Sequence, residues 1–236
     1  MSGDAAALEV EGLCSGYGKS EVLDDVTFTL RGGEITALLG RNGAGKTTAL
    51  RTIAGVHRAR AGSVRLHGSD VTGAGAHRRV RAGLSLVPQG ARAFGTLTVE
   101  DNLKLVHGTG AAGGWSVERV YETFPALHRL RASAGASLSG GERQLLAVGR
   151  ALRANPTVIM LDEPSEGLSP VAVRAALDLL RSLRDSGIAV LLAEQNHHAA
   201  LRVADRCMFL EKGHMAHQGA ASDVSESDLV ARYLGV

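Results

Sequence analysis

The chain has 236 residues, which suits one large domain or a core domain with a satellite, because about 150 residues per domain is typical. Its net charge of +2 argues against a surface built throughout for a polyanion such as DNA, and 44% hydrophobic residues exclude a disordered chain. Glycine is in excess at 30 residues while aromatic residues make up 3%, so we expect the backbone to approach a ligand closely.

The first elements in chain order are β-strands. Runs at Leu8–Leu13, Val22–Leu30 and Gly62–His67 predict a small antiparallel sheet. Other short runs are apolar at nearly every position rather than alternating, which is typical of parallel strands covered on both faces; they are residues 35–39, 84–87, 158–161 and 188–193. The pattern predicts an α/β fold.

Helical patterns fill the spaces between these strands. A helix is expected at about residues 46–54, and another from the cap at Ser169-Pro170 to Gly187. Thr98 and Asp101 form a capping-box pattern. Val117–Leu127 carries an apolar stripe typical of helix, and Gly108–Gly114 is interpreted as a flexible connector. After Gln195 we expect a short helix, a hairpin turning at residues 211–213 and a short final helix.

The cysteine spacing and the apolar runs bear on where in the cell the protein is expected. Cys14 and Cys207 have no Cys-x-x-Cys spacing, so neither a disulfide framework nor a zinc site is indicated, and a reducing compartment is expected. The N-terminus lacks the pattern of a secretory signal, and the apolar runs are far shorter than the roughly 18 residues of a membrane helix.

A phosphate-binding motif follows the strand at residues 35–39. The segment Gly40-Arg41-Asn42-Gly43-Ala44-Gly45-Lys46-Thr47 matches G-x-x-x-x-G-K-[ST], between a buried strand and a helix. The glycines let backbone amides turn toward phosphates, Lys46 reaches the outer phosphates, and the Thr47 hydroxyl suits Mg²⁺. The motif predicts nucleotide binding by Gly40, Asn42, Gly43, Ala44, Gly45, Lys46, Thr47 and Thr48.

Two acidic residues end the strand at residues 158–161. Ligands bind at the carboxyl ends of strands in open α/β sheets, so Asp162 is expected to hold Mg²⁺ and Glu163 to orient or deprotonate an attacking water. Taken alone, such acids also end ordinary strands at solvated loops. Together with the phosphate loop they predict nucleotide hydrolysis.

A third motif is Leu138-Ser139-Gly140-Gly141-Glu142-Arg143-Gln144, which begins a helix. Ser139 and Glu142 have capping-box spacing, and Gly140 and Gly141 expose amides that make a second candidate anion site.

With these motifs in this order, the chain resembles the ATP-binding subunit of an ATP-binding cassette (ABC) transporter. The resemblance implies a P-loop NTPase core of mostly parallel sheet with an N-terminal antiparallel β flank and an inserted helical subdomain. The core is expected at about residues 1–90 and 155–236, and the helical subdomain at about 91–154.

The resemblance also implies roles for single residues. Tyr17 falls where the family stacks an aromatic ring on adenine, and Gln89 falls at the Q-loop, which contacts the metal, the attacking water and the membrane partner. Ser139, Gly140, Gly141 and Glu142 would contact nucleotide across a dimer, and residues 165–169 would form the D-loop at that interface. Without the resemblance, Tyr17 is an ordinary tyrosine and Gln89 a turn residue.

Gln195 stands where most family members have a histidine. Its amide can donate a hydrogen bond to a γ-phosphate but carries no charge, and an equally supported alternative is a polar residue that simply ends a strand. His197 and His198 are interpreted as solvated residues at the start of a helix.

The segments Glu194-Gln195-Asn196, Val120–Pro125 and Tyr233-Leu234-Gly235 are similar to the second ATPase subunit of branched-chain amino acid importers. That similarity implies ATP and Mg²⁺, a second ATP-binding subunit, two membrane permeases, an external solute-binding protein, no nucleic acid, and a place on the cytoplasmic face of the membrane. The alternatives are a soluble ABC-type ATPase without transport and the ATPase of a urea or amide importer.

Overall fold

The computed structural model describes residues 6–90, 93–106 and 114–225, together with Leu229 and Tyr233. The strands in these ranges are β1 (Ala6–Tyr17), β2 (Ser20–Arg31), β3 (Ile35–Leu39), β4 (Ala61–Leu66), β5 (Ser69–Asp70), β6 (Leu84–Val87), β7 (Val158–Asp162), β8 (Ala189–Glu194), β9 (Arg206–Glu211) and β10 (His214–Ala220). The helices are α1 (Lys46–Ile53), α2 (Ala76–Arg81), α3 (Val99–Lys104), α4 (Val117–Thr123), α5 (Pro125–Arg129), α6 (Gly140–Leu152), α7 (Pro170–Asp185), α8 (His197–Leu201) and α9 (Ala221–Ser225).

The strands form two sheets. The smaller has the order β2-β1-β4-β5 and is antiparallel, which confirms the predicted β flank. The larger has the order β10-β9-β3-β8-β7-β6 and is parallel except for the β9–β10 hairpin. The predicted α/β fold is therefore confirmed.

Apolar residues cover both faces of the larger sheet, as the continuous apolar runs predicted. One face packs on the small sheet and α1, and alternate residues such as Leu38, Met160 and Leu191 point into that layer. The other face packs on helices α3 to α8 through residues such as Ile159 and Val190. Helices α3–α6 all lie between β6 and β7 in the chain and share this second core; the boundaries of a separate helical subdomain stay a prediction.

The helical pattern predicted over Val117–Leu127 is divided between two helices. The structure has α4 and α5, separated at Phe124, whose φ of −125° and ψ of 75° are not helical. Pro125 causes the break because proline lacks the N–H of a continuing helix and disfavours helical geometry in the residue before it.

Two predicted features lie outside the described residues. These are most of the connector, at residues 108–113, and the final pair Leu234-Gly235. Within the described ranges, Cys14 and Cys207 carry free thiols, and burial raises the pKa of Cys207 to about 12. No helix of the described chain combines the length and the apolar character needed to cross a membrane.

Helix α2 was not predicted, and it supplies a buried cation. Arg79, 3% exposed, donates hydrogen bonds to the carbonyl oxygens of Thr52 and Ile53 at 3.0 and 2.6 Å. It also donates to the carbonyl oxygens of Thr72 and Ala74 at 2.7 and 2.8 Å. Arg79 thus satisfies carbonyls at the C-terminal end of α1, the helix that Lys46 begins.

We expect Arg79→Met to lower the free energy of unfolding by about 2–4 kcal/mol, because several buried carbonyls lose their donor. Urea unfolding measures the change. Arg78→Met, on the exposed side of the same helix, is the matched control and should change stability by less than about 0.5 kcal/mol. Equal effects of the two substitutions would contradict this role for Arg79.

Candidate active site

The phosphate loop connects β3 to α1, and its backbone requires glycine. Gly45 has a φ of +111°, a left-handed conformation that side chains disfavour. A Cβ on Gly40 would lie 2.6 Å from the carbonyl oxygen of Leu210. Residues 41–48 line a cavity of about 360 Å³ together with Val22, Gln89, Glu163 and Glu166. The predicted phosphate-binding residues therefore line one concave site, except Gly40, which lies at its start.

Lys46 is held in this loop by oxygen atoms. Its side chain is buried, and Nζ donates to the Gly40 carbonyl oxygen at 2.8 Å and pairs with Glu163 Oε1 at 3.1 Å. A buried ammonium is stable only with such partners. The structure thus brings two of the three predicted catalytic residues, Lys46 and Glu163, into direct contact.

A second contact joins the loop to β7. Thr47 Oγ1 donates to Asp162 Oδ1 at 3.1 Å, and Asp162 is 4% exposed. Burial raises the pKa of Asp162, and the Thr47 hydrogen bond partly opposes that rise. A hydroxyl and a carboxylate at the phosphate loop are hard oxygen donors of the kind that Mg²⁺ prefers, so the residues present fit this ion.

Glu163 adopts a left-handed backbone, with φ of +48°, which is unusual for a residue with a side chain. Its amide donates to the Ala193 carbonyl oxygen at 2.9 Å, and Asp162 pairs with Ala193 in the sheet. Such strain persists only where neighbouring structure holds it, and it is found at functional sites. The turn after β7 therefore directs the Glu163 side chain toward the phosphate loop, where it meets Lys46.

Gln89 links β6 to the same carboxylates. Its Nε2 donates to Glu163 Oε2 at 3.3 Å and to Glu166 Oε2 at 2.8 Å. Sequence reasoning placed Glu166 in the D-loop without a role in the site. The sequence feature that could have indicated this role is the spacing of Glu166 from Glu163. The Glu166 amide donates to the Glu163 carbonyl oxygen at 3.2 Å, and this turn brings both acids to one side.

The Ser139 loop has the predicted cap but faces another cavity. Ser139 Oγ accepts from the Glu142 amide at 3.4 Å, and Glu142 Oε2 accepts from the Ser139 amide at 2.8 Å. Ser139, Gly141 and Glu142 line a cavity of about 220 Å³ between α6 and α7. Neither these three residues nor Gly140 lines the phosphate-loop cavity of the same chain.

Tyr17 and Gln195 also lie outside the residues that line the phosphate-loop cavity. Tyr17 is about half exposed and stacks on the His57 ring, with centroids 4.4 Å apart. Gln195 is exposed just after β8. Their roles at adenine and the γ-phosphate stay predictions.

The prediction that His197 is solvated is wrong. His197 is buried, and burial lowers its pKa; His198, its neighbour, is exposed as expected. The short helix α8 packs its inner face against the sheet, with Ala199 and Ala200 also buried, so its first residue is covered.

The sequence profile of the family described as "ABC transporter" matches residues 23–166, which is more than half of the chain. The chain belongs to the ABC transporter family. It is an ATP-binding subunit that hydrolyses ATP in a transporter. Subunits of this kind act as dimers with membrane permeases.

The chain is also similar over almost its whole length to individual proteins of known role or structure. The chain is 38% identical to the high-affinity branched-chain amino acid transport ATP-binding protein BraG of Pseudomonas aeruginosa, covering 93% of this chain and 95% of that protein. It is 37% identical to the lipopolysaccharide export system ATP-binding protein LptB of Escherichia coli, with 98% of each covered. A cassette of an ABC transporter solved in its ADP conformation, MJ1267, has a TM-score of 0.85 at 25% identity and covers 98% of this chain and 99% of its own.

The Ser139–Glu142 cap predicts a pH-dependent contribution to stability. Hydrogen bonds from Ser139, its backbone amide first, lower the pKa of Glu142. The ionised cap therefore stabilises the fold at pH values above 4.5, the ordinary pKa of glutamate. This contribution is lost as the pH falls through the lowered pKa of Glu142. We expect Glu142→Gln to cost about 1 kcal/mol or less at pH 7, and the cost to shrink toward pH 3.

Urea unfolding of both proteins across this pH range measures the difference. Glu122→Gln, at an exposed position of α4, is the control. A Glu142→Gln deficit that is the same at pH 7 and pH 3 would show that the ionised cap contributes nothing.

Proposed function

We propose that this chain is one of two ATP-binding subunits that power the uptake of branched-chain or related amino acids. It would sit on the cytoplasmic face of the membrane through two permeases, and an external solute-binding protein would deliver the solute. The similarity to BraG and the Glu194-Gln195-Asn196 segment support import of this solute class.

The observation that carries the hydrolytic role is the convergence of Lys46, Thr47, Asp162 and Glu163 at the phosphate loop. When ATP binds, Lys46 exchanges its contact with Glu163 for oxygens of the outer phosphates. Glu163 is then free to accept a proton from, or orient, the attacking water. The ion pair thus keeps the general base occupied until phosphate replaces it.

Thr47 and Asp162, with Gln89 as a further ligand, would hold Mg²⁺. The bound ion supplies charge neutralisation of the phosphates. In this chain, Asp162 is positioned by the Thr47 hydroxyl, and the Gln89 amide nitrogen bonds the nearby acids.

A second subunit would complete the site. The amides of Gly140 and Gly141 at the start of α6 suit an anion, yet they lie away from the phosphate loop of their own chain. We propose that the Ser139–Glu142 loop contacts the γ-phosphate held by the partner, while Tyr17 stacks on adenine in its own chain. Gln195, which follows the strand beside its own phosphate loop, would donate to the γ-phosphate of the ATP held by its own chain.

The permease contact is proposed at a larger cavity of about 560 Å³, whose lining includes Pro88, the residue before Gln89. It lies between the end of β6 and the helices, and its lining is mostly apolar: Val80, Ser85 to Pro88, Ala93, Phe94, Val106, Ala147, Arg150, Ala151 and Ala154. Pro88 lines this cavity, and the next residue, Gln89, contacts Glu163. Movement of a docked permease against Pro88 would therefore shift Gln89 and, with it, the general base.

Lipid export is the second candidate, because LptB is 37% identical over almost the whole chain. The site chemistry is the same for both, and the transported solute distinguishes them.

We expect Glu163→Gln to lower kcat for ATP hydrolysis by about 100-fold or more while the affinity for ATP stays within about threefold, because the amide cannot take a proton. Lys46→Ala should instead weaken ATP binding itself. Steady-state ATP hydrolysis by the transporter complex measures kcat, and equilibrium titration of the same complex with ATP measures the affinity. Glu9→Gln, in the antiparallel sheet, is the control. A Glu163→Gln protein with wild-type kcat would remove Glu163 from the mechanism.

The solute class can be tested in the source organism. Deleting the gene should abolish high-affinity uptake of labelled leucine, and the wild-type gene, but not the Glu163→Gln gene, should restore it. Normal uptake of leucine, isoleucine and valine in the deletion strain, with a defect in lipopolysaccharide at the cell surface, would favour export instead.

A further inference from the structure

A buried carboxylate at the end of β8 has no part in the site described above. Glu194 is 3% exposed and is the last residue of the strand, paired with Leu39 of β3. Leu39 directly precedes the phosphate loop, and Ala193 pairs with Asp162 of β7. Glu194 therefore lies at the point where the three strands that carry the site end together.

Backbone amides stabilise this carboxylate. Glu194 Oε1 accepts from the Ser165 amide at 2.9 Å, and Oε2 accepts from the Asn196 amide at 3.4 Å. Burial raises the pKa of Glu194, the hydrogen bonds from Ser165 and Asn196 lower it, and the charge of Glu163 raises it further. A buried carboxylate is costly unless hydrogen bonds replace its lost hydration, and the two backbone amides supply such bonds to Glu194.

The contacts converge on the turn after β7. Two consecutive residues of β8 hold it, since the Ala193 carbonyl oxygen accepts from Glu163 and the Glu194 carboxylate accepts from Ser165. Between these two attachments lies the left-handed backbone of Glu163. A strained residue needs several such attachments, because one alone leaves the chain free to relax.

We propose that Glu194 is a positioning residue for ATP hydrolysis. Its carboxylate anchors the turn that contains Glu163 and Glu166, and the point of attachment is β8, the strand that precedes Gln195. The proposal rests on the hydrolytic role given to Glu163 above. It adds that the D-loop and the Gln195 position move as one unit, because a single side chain bonds Ser165 on one side and Asn196 on the other.

Amide exchange and kinetics together test this role. In Glu194→Ala, the Ser165 amide should exchange with solvent about tenfold faster or more, since it loses a hydrogen bond to a charged acceptor. The same substitution should lower kcat about tenfold or more while KM for ATP stays within about threefold, because the phosphate loop is untouched. Glu194→Gln keeps one of the two acceptor oxygens, which can still accept from the Ser165 amide while the longer bond to the Asn196 amide is lost. It should therefore retain kcat within about threefold of wild type.

Asn196→Ala is the matched control at the same strand end. The Asn196 side chain caps α8 by accepting from the Ala199 amide at 3.1 Å, and its loss leaves both bonds to Glu194 in place. We expect a lower unfolding midpoint with unchanged Ser165 exchange. Comparison with this variant separates loss of the anchor from general destabilisation.

Unchanged Ser165 exchange in Glu194→Ala would overturn the anchor, and faster exchange with wild-type kcat would overturn the positioning role. An equal loss of kcat in Glu194→Gln and Glu194→Ala would also overturn the positioning role. That result would mean that the negative charge of Glu194, and not its hydrogen bond to the Ser165 amide, determines kcat. Exchange is measured without nucleotide on the full chain, so it reports on the anchor even if Glu163→Gln hydrolyses ATP normally and the assignment of Glu163 fails.

Discussion

The parallel register of β3, β7 and β8 is the constraint on which the rest of this molecule depends. Leu39 pairs with Glu194, and Asp162 pairs with Ala193, so three strands end at the same edge of the sheet. Alternate residues of each strand pack into two different cores, so a shift by one residue would exchange the side chains between two closely packed layers, and this packing fixes the register. The polar residues that follow the strands meet there as a result, and the phosphate loop and the turn at Glu163 then orient them.

Much of this arrangement could be predicted from sequence. The strands at Ile35–Leu39 and Leu84–Val87 match their predicted runs residue for residue, since Gly40, Gly83 and Pro88 end these short, mainly apolar runs. The phosphate loop and the Ser139 cap were also predictable, because local backbone chemistry dictates both. What sequence reasoning predicted well is therefore determined by neighbours along the chain.

The features that were missed depend on neighbours in space. Arg79 looks like a surface residue in an arginine-rich stretch, but carbonyls at the end of α1 bury it. His197 is covered because α8 packs on the sheet, and the roles of Glu166 and Glu194 follow from a turn and a strand end that only tertiary structure brings together. Glu166 could have been expected near Glu163 from their spacing in one turn, but the sequence spacing of Arg79, His197 and Glu194 does not indicate their partners.

The phosphate loop and the Ser139 loop line different cavities of one chain, and we propose on this ground that one chain holds only part of a catalytic site. The most direct test measures ATPase activity per chain across protein concentration, with molar mass from light scattering on the same samples, alone and with the partner subunit. The account predicts that monomers are nearly inactive and that activity per chain rises at least about tenfold as dimers form. Full activity at concentrations where the chain is monomeric would contradict it.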